Sequence, residues 1–309
     1  MQLVRQNDKF GPRGQIRGRV RTGAAVLVVA AIASGCASGA DGAAKPAPGQ
    51  QRLDAPPARA LDSYAQKLRV AQVARAAAAK RWGLAKPPLA APPAPAKKPG
   101  ITTRKGFEVK GQAALPPVFT TVPTKEKVVF LTIDDGAEKD PALLKMMGEL
   151  QIPYTAFLSD YLVKEDYGYF KKMQSRGVSL NNHTLNHRYL PGLSYAGQRR
   201  EICGMQDVIQ KRYGKRPELF RPPYGNYNAD TLRAAKSCGI KAVPLWASEA
   251  FADHMEWREW DRDLHPGDII LTHFRGREDW KGTMPDMVRK VMKTVTDKGY
   301  AVARLEDYL

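Results

Sequence analysis

The sequence predicts an α/β fold built on a parallel sheet, and three observations predict it. From residue 126 onward, apolar runs short enough for strands alternate with longer runs that suit helices. The first strand run is apolar almost throughout, as expected of a strand buried on both faces. The chemically active residues gather where such runs end. In chain order, residues 128–133 read VVFLTI, a strongly apolar strand. Residues 141–150 suit a helix with Pro141 in its first position. A second strand covers 154–158, a helix at 167–176 is ended by Gly177, and a short strand follows at 178–181. A long helix fits 195–213 and ends at Gly214. Next come a strand at 218–221, a helix at 229–237 stopped by Gly239, and strands at 240–246 and 268–274. A helix at 284–298, ended by Gly299, and a last strand at 300–305 close the series. Six or seven such βα units imply parallel strands with helical crossovers, and suit a closed or nearly closed barrel.

The first 125 residues have a different character and hold most of the 23 prolines of this 309-residue chain. Arg5, Lys9, Arg13, Arg17, Arg19 and Arg21 form a basic stretch, and residues 24–33 a short apolar run. The run is too short to span a bilayer as a mature helix and reads as an export signal. Its ending, Ala33-Ser34-Gly35-Cys36, resembles a bacterial lipoprotein signal, in which Cys36 becomes the lipidated first residue. The alternative is an ordinary cleaved signal with an incidental cysteine. We therefore expect an exported protein, held on the outer face of the cell membrane through lipidated Cys36 or else secreted.

Residues 37–125 read as an Ala/Pro-rich linker, disordered over 37–58. Residues 59–83 suit a helix, which we read as a solvated spacer rather than a surface-associated amphipathic helix. Residues 86–99, KPPLAAPPAPAKKP, should be extended and semi-rigid, holding a domain away from a membrane anchor. Cys203 and Cys238 fall in or near successive helices, and both a disulfide and two separate buried thiols are open. The net charge is +18, of which +5 lies in residues 1–36. A basic surface favours polyanions such as nucleic acid, anionic lipid or wall polymer. No zinc-finger, helix-turn-helix or aromatic RNA-binding signature accompanies it, so nucleic acid is set aside.

In α/β barrels the active site is built at the C-terminal strand ends. Asp134 and Asp135 follow the first strand, His183 and His187 the third, and Arg221 and His273 end strands of their own. On one turn of helix, His183 and His187 would share a face. HTLNH lacks the Glu of a zinc-protease HExxH, and Thr184 and Asn186 could anchor the turn or a ring nitrogen. Adjacent carboxylates at a strand end point in different directions and do not suit a glycosidase pair facing one bond. They suit divided labour, one on a metal and one on its water. Gly136 permits a tight turn beside them.

LTIDDG, NNHTLNH, FRPPYG and IILTHF occur in that order at strand ends. Together they resemble the polysaccharide deacetylase family, also called the NodB-homology or carbohydrate esterase 4 family, over roughly residues 126–308. The resemblance implies a distorted (β/α)7 barrel for 126–309, a divalent metal (zinc, with cobalt the alternative) and N-deacetylation of a sugar polymer. By it, Asp134 matches the catalytic base, and Asp135, His183 and His187 the metal ligands. Arg221 matches the arginine that pairs with the base and would keep it ionised. The Tyr224 backbone N–H matches the oxyanion donor, and His273 the general acid. The chain departs from the family where a carboxylate should orient His273. The stretch there reads LWASEAFADHMEW, with Glu249 at the expected place and Asp253 as a second candidate.

A monomer acting on an acetylated polysaccharide, peptidoglycan-like or chitin-like, is the reading that follows, with peptidoglycan N-acetylglucosamine foremost. An O-acetyl esterase on the same barrel and a catalytically impaired wall-binding protein are the alternatives.

Overall fold

A computed structural model describes residues 58–309; the predicted export signal, Cys36 and the linker up to residue 57 lie outside the described residues. The strands are β1 (Val118–Phe119), β2 (Val128–Asp135), β3 (Thr155–Leu158), β4 (Ser179–Asn182), β5 (Val243–Pro244), β6 (Ser248–Ala250), β7 (Met255–Trp257), β8 (Ile269–His273) and β9 (Ala301–Val302). The helices are α1 (Ala58–Arg81), α2 (Pro141–Leu150), α3 (Asp160–Val163), α4 (Tyr167–Gln174), α5 (Tyr195–Tyr213), α6 (Ala229–Ser237), α7 (Arg277–Trp280) and α8 (Met284–Asp297).

β2 lies at the centre, and all eight of its residues are buried. It pairs in parallel with β3, β8 and β9, and β3 pairs with β4. The sheet then continues around the barrel by thinner connections. Phe220 bridges Asn182, Leu219 bridges Ala242, and the same chain carries on through β5 to β6, which pairs with β8. The result is an α/β barrel, as the strand–helix alternation predicts, and it is distorted, as the family resemblance implies. The distortion has a local cause. The predicted strand at 218–221 is reduced to single bridges because Pro217, Pro222 and Pro223 flank it and offer no N–H to a ladder. The predicted strand at 300–305 shrinks to β9 and then winds into a short turn at 305–307. A hairpin of β6 and β7, absent from the sequence reading, follows the 240–246 segment.

Strand alternation sets the two faces of β2. Val129, Leu131 and Ile133 join the cluster formed with α2, α4 and α8, while Val128 and Phe130 join Phe119, Phe157 and Ile269. Thr132 and Asp134 share that second face by period. α2 starts where Asp140 accepts from the Ala142 N–H at 2.8 Å, ahead of Pro141. It buries Leu143, Leu144, Met146, Met147 and Leu150, one face at helical spacing. A disulfide joins Cys203 on α5 to Cys238 at the end of α6, which resolves the two alternatives for these thiols.

The packed body begins well before residue 126. Val118, Phe119 and Val122 are fully buried or nearly so, and β1 pairs with β5. α1 is no free spacer either. Ala78 and Ala79 are buried in the core, and the Trp82 Nε1–H donates to Glu149 of α2 at 2.8 Å. The proline stretch 86–99 does not stand off from the domain. Lys86 pairs with Asp297 at 3.2 Å, and the Lys98 ammonium donates to the Glu306 carbonyl at 3.1 Å. Isolated apolar residues among prolines carry no periodicity, so this packing had no signature in the sequence. Among the described residues no helix is long and apolar enough to cross a membrane.

Candidate metal and catalytic centre

Asp135 breaks the alternation of its own strand. Its φ of 79° lies in the left-handed region, which costs a non-glycine residue about 1–2 kcal/mol. Gly136 follows at φ 102°, where a Cβ would come within 2.4 Å of Val163, so only glycine fits. This turn brings neighbouring carboxylates to one place rather than two. The His183 Nε2 lies 3.7 Å from Asp134 Oδ2 and 3.5 Å from Asp135 Oδ1. The His187 Nε2 lies 3.4 Å from the same Asp135 Oδ1. Ligand atoms of Asp135, His183 and His187 all fall within 4.8 Å of one another.

The two histidines arrive there by a loop, which corrects the helical-turn expectation. Thr184 and His187 both have positive φ, 73° and 52°. Asn182 Oδ1 accepts from the Thr184 N–H at 2.9 Å, and Thr184 Oγ1 accepts from the His187 N–H at 3.0 Å. Glu201 of α5 grips Asn186 through both its backbone and side-chain nitrogens, at 2.8 and 2.9 Å. Thr184 and Asn186 thus anchor the loop and not a ring nitrogen. That task falls to the Arg221 carbonyl, 2.7 Å from His183 Nδ1. With Nδ1–H donating there, Nε2 is left with its lone pair facing Asp135.

Burial lowers the pKa of both His183 and His187 to about 4, so both rings are neutral at neutral pH and free to ligate. Burial opposes the Asp135 charge, but its electrostatic interactions with His183, His273, His187 and Arg275 outweigh burial and hold its carboxyl below the usual range. Asp135 Oδ1 and His183 Nε2 are buried and make no hydrogen bond among the described residues. Orphaned buried polar atoms are costly unless something fills the gap. One carboxylate oxygen and two imidazole nitrogens are a donor set that suits a divalent ion of the zinc type, with a position left open. The residues therefore fit the metal.

Arg221 is fully buried beside this cluster. Its Nη1 donates to Asp134 Oδ1 at 2.7 Å and to Thr132 Oγ1 at 2.9 Å. Its Nε and Nη2 donate to the carbonyls of Pro244 and Leu245 at 2.8 and 3.2 Å, and its plane lies over the Phe157 ring. The pairing does not keep the Asp134 pKa low. Burial outweighs Arg221 and raises Asp134 to about 6, nearer to neutral pH, while Arg221 opposes the rise and favours the ionised form.

On the opposite side, His273 sits in register with Asp134 across the β2–β8 pairing. Glu249 Oε1 lies 3.3 Å from its Nδ1. Burial alone would lower the His273 pKa; Glu249, Asp135 and Asp134 outweigh it and raise it. Asp253 is not at this site and pairs instead with His254 at 2.6 Å. Tyr224, at φ 62°, presents an exposed ring whose centroid is 4.7 Å from that of His187. The sequence reading missed Thr132, which the period of two on β2 could have found. It also missed Arg275, whose Nη2 donates to Asp135 Oδ2 at 2.6 Å and for which no local signal existed.

Comparison with known proteins points to one family. The polysaccharide deacetylase profile matches residues 121–243. An uncharacterised protein of Streptomyces coelicolor is 43% identical over 196 residues, 63% of this chain and 78% of that protein. The chain belongs to the polysaccharide deacetylase family. It is a metal-dependent hydrolase of that family. A peptidoglycan-N-acetylglucosamine deacetylase of Bacillus cereus is 26% identical over 202 residues, covering 61% of this chain and 91% of that protein. Among solved structures, a family 4 carbohydrate esterase from Bacillus anthracis superposes with a TM-score of 0.51 at 26% identity, over 62% of this chain and 86% of that one. The family match ends before Glu249 and His273, so the acid side of the cleft lies beyond it.

Proposed function

We propose that this protein is an exported deacetylase that removes N-acetyl groups from cell-wall peptidoglycan, foremost from N-acetylglucosamine units. The observation that carries the reading is the convergence of Asp134, Asp135, His183, His187, Arg221 and His273 from separate strand ends onto one cleft. The substrate class follows from relatives named as peptidoglycan N-acetylglucosamine and N-acetylmuramic acid deacetylases. We assign residues 1–36 as the export signal, with lipidated Cys36 as the anchor, and residues 126–309 as the catalytic region.

Asp135, His183 and His187 would hold the metal, with zinc favoured and cobalt the alternative. The chemistry such an ion supplies when bound is polarisation of an acyl oxygen and a lowered pKa of water. Asp134 accepts the proton of the attacking water, and Arg221 keeps its carboxylate oriented and partly compensated. The Tyr224 N–H donates to the oxyanion that develops on the acetyl carbon's oxygen. His273, whose pKa Glu249 helps to raise, donates a proton to the departing amine. The products are acetate and a free amino sugar.

The test is acetate release from N-acetylated and O-acetylated oligosaccharides by protein loaded with zinc or cobalt. Release from the N-acetylated substrate is expected. Release from the O-acetylated one alone would replace the reading with an esterase. No release from either, with metal confirmed bound, would leave a wall-binding protein.

A further inference from the structure

We propose that Arg275 is a positioning residue for the metal ligand Asp135, holding one carboxylate oxygen so that only the other is offered to the ion. The inference rests on the metal-site reading above. The guanidinium is brought in by a stiff segment. The Phe274 N–H donates to the Asp134 carbonyl at 3.0 Å, and the Phe274 carbonyl accepts from the Glu138 N–H at 3.0 Å. The Phe274 ring is buried edge-on against Phe170. One residue further, Gly276 lies so close to Glu138 that a Cβ there would come within 2.4 Å of its carboxylate. Residues 273–276 are thereby laced to residues 134–138, and Arg275 has little freedom of approach.

Its Nη2 meets Asp135 Oδ2 at 2.6 Å. The other oxygen, Oδ1, is the atom that faces both His187 and His183 and makes no hydrogen bond among the described residues. A carboxylate can ligate through one oxygen or both. Here the strong charge-assisted bond occupies one and leaves the other aimed at the histidines. Arg275 is one-third exposed while Asp135 is buried, so the clamp reaches in from the mouth of the cleft.

The experiment compares the full-length protein with Arg275→Met and Arg275→Lys. It measures zinc affinity by chelator competition and the visible spectrum of the cobalt-loaded forms. Partners of ligating groups typically set metal affinity by about 10–100-fold. Both variants are expected to weaken zinc binding within that range and to change the cobalt band as Asp135 is freed to use both oxygens. Lysine supplies the charge without the planar fork and does not restore either property. Wild-type affinity and spectrum in Arg275→Met would overturn the proposal. So would full recovery in Arg275→Lys, which would reduce Arg275 to a counter-charge. Failure of the wild-type protein to bind zinc would instead overturn the metal-site reading itself.

Discussion

The two sides of the cleft are held in different ways. On the metal side, Asp134, Asp135, His183 and Arg221 are buried, and every loop that carries them is tied by hydrogen bonds to a neighbouring element. On the acid side, the side chains of His273 and Glu249 are 25% and 19% exposed. Glu249 rides on the three-residue strand β6, whose other neighbour is the short hairpin strand β7 at the edge of the sheet. The metal side is the more deeply buried, although the His187 side chain is 15% exposed, and it tolerates little change. The setting of the acid includes a contact with Glu249 that water can reach, and the family profile ends before either residue.

Four experiments would break or sharpen that contrast, the largest effect first. His183→Ala removes a ligand whose ring is fixed by the Arg221 carbonyl. Metal content by elemental analysis should fall to background and turnover with it; stoichiometric metal in this variant would show that the ligands are misassigned. Asp134→Asn should lower turnover by about 10²–10⁴-fold, the usual contribution of a general base, while metal content stays near normal. Full activity in that variant would remove Asp134 from the chemistry.

Arg221→Met leaves Asp134 without its partner inside the barrel. Removing one member of a buried ion pair costs about 3–5 kcal/mol, read as a drop in the denaturant midpoint. An unchanged midpoint would mean that the metal side is less tightly built than its burial implies. Glu249→Gln should have the smallest effect. A proton donor works only below its pKa, so activity falls as pH rises through that of His273. Glu249 helps to hold that pKa up, and its loss should move the alkaline limb of the rate profile to lower pH. An unmoved limb would show that Glu249 does not set the charge of His273. The acid limb belongs to Asp134, which must be ionised to act. Burial raises its pKa to about 6, and a bound cation would pull it lower, so the acid limb should have its midpoint at or below that value.

Much of the barrel was legible before any coordinates. The bounds of α2, α5 and α6 coincide with the sequence expectation, because Pro141, Gly214 and Gly239 act within a few residues of the backbone they control. The strand at 218–221 was overestimated, since the flanking prolines weaken pairing that local apolarity favours. The 86–125 region was underestimated, since its contacts with the barrel join residues far apart in sequence, such as Lys86 with Asp297 and Val118 with Val243.

The sequence by itself determined which residue types stand at the strand ends, and hence the family and the donor set of Asp135, His183 and His187. Motif order is a one-dimensional property and survives without coordinates. Only the tertiary structure decided how those residues meet. The left-handed backbone at Asp135 turns two adjacent carboxylates toward one histidine. Distance selects Glu249 over Asp253 as the neighbour of His273. Burial sets the Asp134 pKa against the pull of Arg221. Each of these depends on distance and desolvation, which arise only when the strands close around the site.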